Sequence, residues 1–220
     1  INLVACLIVV IGAFFGTQSP LTVTQMLWVN LIMDTFAAMA LASLPPSQEV
    51  MKRKPRRSDD FIINRRMMWT IFGTGALFVF ILFGLMQYFR HEEIATLMQF
   101  NIVKFFSDIF NFTYPVGAEM TPYELSMFFT IFVFLSFWNL FNAKAFDSGH
   151  TAFFNMKDSK VFFLTLFVII GGQFLLVSIG GEMFNVVPLS ATDWGLIIGS
   201  TALVMIIPTI LTLIAKIFKK

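Results

Sequence analysis

The sequence predicts an all-α fold, a polytopic bundle of membrane helices, and three observations carry that expectation. Hydrophobic residues make up 57% of the 220 positions, 29 of them phenylalanine, while Asp, Glu, Lys and Arg together supply only 13%. Several apolar runs reach the roughly 20 residues that a helical span needs. The basic residues gather on alternate connections between those runs. The length alone would allow one or two soluble domains, but a soluble core cannot absorb so many long apolar runs.

Six apolar segments follow in order, at about residues 1–16, 21–44, 68–89, 124–141, 161–179 and 194–217. The first opens Ile1-Asn2-Leu3-Val4-Ala5-Cys6 without the basic flank or small-residue cleavage site of a secretory signal. The expectation is that the numbering starts part-way through a membrane helix of something larger. Pro45-Pro46 should stop the second segment, because proline supplies no backbone donor and disfavours helix in the residue before it. Between the third and fourth lies a long connection, residues 90–123, with a short amphipathic piece expected near Ile102–Phe110. Gly171-Gly172 suits close helix approach, Gly180-Gly181 a turn, and Pro208 should kink the last segment.

Thirteen of the 15 basic residues fall on alternate connections: Lys52, Arg53, Lys54, Arg56, Arg57, Arg65 and Arg66, then Lys144, Lys157 and Lys160, then Lys216, Lys219 and Lys220. By the positive-inside rule these sides are cytoplasmic. The expected organisation is one transmembrane domain over residues 1–220, with cytoplasmic loops at 45–67 and 142–160. Its outer loops are 17–20, 90–123 and 180–193, and its C-terminus is cytoplasmic. The Lys52–Arg57 run reads as a solvated loop near anionic lipid, not as a nucleic-acid patch. A single cysteine, Cys6, excludes an internal disulfide. No phosphate-cradling glycine loop, zinc-ligand spacing or nucleophile elbow is present, so this chain is not expected to hydrolyse ATP itself.

One carboxylate sits where it is expensive. Asp34 lies inside the second apolar segment, and an acid at the centre of a span costs roughly 2.5–3.5 kcal/mol on insertion scales, so it is a functional-site hypothesis needing a partner. Asn30, at i and i+4, shares its helical face. Oxygen donors of this kind suit a hard cation such as calcium. The alternative is that the two side chains only hydrogen-bond across a helix contact, as polar residues in membrane bundles do. Asn139 and Asn142 read in that second way.

The stretch Gln25-Met26-Leu27-Trp28-Val29-Asn30-Leu31-Ile32-Met33-Asp34-Thr35-Phe36-Ala37, then Ala40-Leu41-Ala42 and Pro45-Pro46, resembles the sixth transmembrane helix of calcium-transporting P-type ATPases, nearest the plasma-membrane type. Further similarity lies in Arg53-Lys54-Pro55, Phe141-Asn142-Ala143-Lys144, Gly180-Gly181-Glu182-Met183-Phe184 and Pro188-Leu189. The resemblance implies the truncated fifth through tenth helices of a ten-helix pump that exports calcium across the cell membrane. It implies Asn30 and Asp34 as calcium ligands and Asn2 as a weaker one. ATP and magnesium would be handled by domains that this chain does not include, so its partners would be those domains, the preceding helices, calcium and lipid, with no nucleic acid.

Two departures matter. Pumps that carry two calcium ions place a glutamate, a threonine and another glutamate where this chain has Ala5, Met33 and Ser136. A methyl and a thioether offer a hard cation almost nothing, so one ion site per cycle is expected. Two readings compete with a calcium pump: a related pump for sodium, potassium, magnesium or manganese, and a self-standing six-helix channel or scaffold.

Overall fold

The computed structural model describes residues 1–16, 19–44, 61, 63–114, 119–146 and 160–217. The described part is helical and carries no strand. Helix α1 is Asn2–Phe14, followed by α2 (Val23–Trp28), a π turn (Val29–Asp34) and α3 (Thr35–Ala42) in one continuous rod. Then come α4 (Arg65–His91), α5 (Ile102–Asp108), α6 (Pro122–Ala145), α7 (Lys160–Ile179), α8 (Gly181–Phe184), α9 (Ala191–Thr201) and α10 (Leu203–Ile217). Among the described residues five helical stretches are long and apolar enough to cross a membrane: Val23–Ala42, Met67–His91, Pro122–Ala145, Lys160–Ile179 and Ala191–Ile210. Helix α1 is apolar and shorter, at 13 residues.

Helix α6 is the hub. It packs against α9, α10, α4, α7 and α3, and almost every residue from Glu124 to Phe141 is buried. Its sequence is apolar all round, which is the pattern of a helix surrounded on every side. Three hydroxyls in its buried stretch bond back to their own helix: Ser126, Thr130 and Ser136 donate to the carbonyls of Pro122, Ser126 and Phe132 at 2.8, 2.7 and 2.9 Å.

Local rules set the starts of these helices. Thr22 and Gln25 form a capping box on α2, and Thr121 and Glu124 form another on α6 with Pro122 in the first turn. Ser190 caps α9 by accepting from the Asp193 amide. The Glu124 and Asp193 carboxylates are fully buried, and each also holds the connection after α4. Glu124 accepts from the Ile94 amide at 3.0 Å, and Asp193 from the Leu97 amide at 2.7 Å. Nearby, Lys104 and Glu92 pair at 2.6 Å on the surface, and Glu92 holds the lysine ammonium above its ordinary pKa.

Several expectations can be located. Where the amphipathic piece is expected a short helix forms, α5, with the apolar side chains Ile102, Val103 and Phe106 exposed and Phe105 and Asp108 buried. The third apolar segment starts at Arg65, earlier than its hydrophobic run, because the Asn64 side chain caps the Met67 amide. Of the glycine pair in α7, Gly172 makes the close approach, while Gly171 faces open space. The last rod is interrupted at Ala202, six residues ahead of Pro208. Pro45-Pro46 and the Lys52–Arg57 run lie outside the described residues.

Candidate ion site

The helix that carries Asn30 and Asp34 changes its winding where they sit. The chain leaves the α form after Trp28, runs as a π turn from Val29 to Asp34 and resumes α geometry at Thr35. In a π turn each amide reaches one residue further back, so the regular carbonyl pairing is broken locally; such turns are rare and recur at functional sites. The sequence pattern led us to expect an ordinary α turn here. Because a π turn takes more residues per revolution, Asn30 and Asp34 still share one face.

That face is the open one. Val29 and Met33 are each 1% exposed and point into the bundle core, with Ala37 and Ala40 continuing the buried stripe. Asp34 is half-buried and Asn30 exposed. The buried stripe locks the rotation of the rod, and the oxygen donors are left facing away from it.

Asn2, from the first turn of α1, joins them: its side chain interacts with the Asp34 carboxylate. The three residues singled out from sequence therefore include one contact between separate helices, Asn2 with Asp34, and one pair on a single turn. Among the described residues no group of three or more His, Cys, Asp or Glu comes together. Calcium takes about six to eight oxygen ligands, and amide, carboxylate and unpaired backbone carbonyls are the donors that suit it.

Ala5 and Met33 are packed into the core, 5% and 1% exposed. The Ser136 hydroxyl, 1% exposed, is engaged with its own helix. Asn142 donates to the Val204 carbonyl of α10 at 2.9 Å and lies 3.5 Å from Asn139 Oδ1, the interhelical bonding expected of it.

Sequence reasoning passed over the residues that hold the site helix in place. The Gln25 side chain donates to the Phe184 carbonyl at 2.9 Å, and the Trp28 indole donates to Gln173 Oε1 at 3.1 Å. A glutamine inside an apolar run was the available signal for Gln173. Its partner, distant in sequence, left none.

The family described as "Cation transporting ATPase, C-terminus" matches residues 18–215. Plasma membrane calcium-transporting ATPase 3 of Homo sapiens is 32% identical over 194 residues, covering 88% of this chain and 15% of that protein. The plasma membrane calcium-transporting ATPase 2 of Oreochromis mossambicus is 31% identical, covering 88% of this chain and 16% of its own length. Calcium-transporting ATPase PAT1 of Dictyostelium discoideum is 32% identical over 176 residues, covering 80% of this chain and 15% of that protein. The chain thus spans about 15% of the length of these relatives. With its apolar helices and this match along nearly its whole length, the chain belongs to the cation-transporting ATPase C-terminal family, as a C-terminal transmembrane region of the plasma-membrane calcium pump type.

Proposed function

We propose that this chain is the membrane part of an ATP-driven pump that exports calcium from the cytoplasm, and that it supplies part of a single ion site per cycle. Asn30 and Asp34 are the ligands, and Asn2 supports or joins them from α1. The observation that carries the reading is the π turn Val29–Asp34, which sets both oxygen-bearing side chains on the open face of a helix otherwise locked by its buried stripe. Two side chains do not complete a calcium shell, so further oxygens come from helices outside this chain. Apolar packing at Ala5 and Met33 supports a single site.

ATP and magnesium act on cytoplasmic domains beyond these residues, and coupling reaches the ion through displacement of the helices. The C-terminus and the basic loops face the cytoplasm, as the positive-inside rule requires. A self-standing channel sits poorly with family membership. A pump for another cation differs only in cavity size and ligand number.

The test is ATP-driven uptake of radiolabelled calcium by inside-out vesicles holding the full-length pump, comparing Asp34→Asn and Asn30→Ala with the unchanged protein. Loss of uptake in Asp34→Asn with a raised calcium requirement in Asn30→Ala supports the reading. Undiminished uptake in both variants removes it.

A further inference from the structure

Trp28 is the last α-helical residue before the π turn and stands two positions ahead of Asn30. Its indole lies against Gly172 of α7, so closely that a Cβ on that glycine would come within 2.7 Å of Cη2 and 2.9 Å of Cζ2. At the same place its N–H donates to Gln173 Oε1 at 3.1 Å. One ring is thus fixed in height and azimuth by two successive residues of a neighbouring helix. One turn further out, Gln25 is tied to the Phe184 carbonyl, so the outer part of the site helix is held to α7 and the connection after it.

Gln173 is a poor choice for stability. It is fully buried, and its Nε2 has no hydrogen-bond partner among the described residues. An unpaired buried donor is costly, and an apolar side chain of similar size would fill the space without that cost. What the glutamine adds is a directional acceptor for the indole. A π turn is a backbone form that persists only where its surroundings over-determine it, and the anchored residue is the one from which this turn departs.

We infer that Trp28 and Gln173, with Gly172 making room, are positioning residues for the ion site: they hold the start of the Val29–Asp34 turn and so set the affinity for the cation. The inference rests on the reading of Asn30 and Asp34 as ion ligands. Neither Trp28 nor Gln173 touches the ion. They act through the backbone between Trp28 and Asn30.

The test uses the full-length pump and calcium-dependent ATP hydrolysis, with Trp28→Phe, which keeps a ring and loses the N–H, and Gln173→Leu, which removes the acceptor. Each raises the calcium KM about fivefold, the size that one lost hydrogen bond carries, with kcat at saturating calcium within about twofold. The double variant is no worse than the more affected single one, because both remove the same bond. Gln173→Glu, which keeps an oxygen beside the indole, restores the KM. An unmoved KM in Trp28→Phe and Gln173→Leu, alongside a raised KM in Asn30→Ala, overturns the inference and leaves the site reading standing. A fall in kcat alone overturns it as well, since that marks a contact serving only the bundle. If Gln173→Leu does not reach the membrane, Trp28→Phe gives the same reading by itself. Unchanged calcium dependence in Asn30→Ala and Asp34→Asn removes the site reading and the inference with it.

Discussion

Asn142 of α6 donates its side-chain amide to the Val204 carbonyl of α10 at 2.9 Å. Val204 stands four residues before Pro208, which has no N–H to return to that carbonyl. The proline leaves an acceptor open inside the bundle, and a neighbouring helix fills it. What a sequence reading treats as a kink signal and a loose piece of interhelical glue is one interaction.

Asn142→Ala should therefore cost the full-length pump roughly 0.6–1.7 kcal/mol, the range found for hydrogen bonds between membrane helices. Adding Pro208→Ala restores an amide to the carbonyl, so the double variant should be more stable than Asn142→Ala alone. Thermal inactivation in detergent measures both. Additive losses would show that the two residues do not share this acceptor.

The buried Asp193 carboxylate accepts from the Leu97 amide, the Tyr123 hydroxyl and the Ser190 hydroxyl. Asp193→Ala orphans all three donors and should cost about 3 kcal/mol. Hydrogen exchange at the Leu97 amide should rise with it. Asp193→Asn keeps one acceptor oxygen and should lose less.

The Lys104–Glu92 pair stands in contrast. Both groups are solvated, and salt screens such a pair at physiological ionic strength. Lys104→Gln should leave the thermal midpoint unchanged. Because Glu92 raises the lysine pKa, whatever the pair contributes is fully present below the ordinary lysine value and is lost as pH rises through the raised one. A titration from pH 6 to about 9 should accordingly show no change from this pair, and a midpoint that moves there has another source.

The fold class was legible because long apolar runs leave a chain few alternatives. Asn30 and Asp34 were legible because polarity inside such a run is costly enough to stand out. The π turn was not: Val29–Asp34 has no residue type that demands it. The capping pairs Thr22 with Gln25 and Thr121 with Glu124 were written locally. What Gln25 and Glu124 do beyond capping, reaching the Phe184 carbonyl and the Ile94 amide, depends on segments far away in the chain. Asn2 shows the same limit, since nothing near it in sequence announces the Asp34 carboxylate.

Gly172→Ala tests the anchor from its steric side. The added methyl would sit 2.7 Å from the indole, closer than carbon atoms can approach, so the ring or the helix must move. Overpacking of this kind typically costs 1–3 kcal/mol, about that much here, and it should shift the indole fluorescence as the ring leaves its place. The decisive comparison is with Trp28→Leu. A smaller side chain at position 28 removes the obstacle, so Gly172→Ala should cost little in that background, and the two changes should be strongly non-additive. If Gly172→Ala is instead equally harmful with and without the indole, the glycine serves some other contact of α7. The close packing of Trp28 would then not be what requires it.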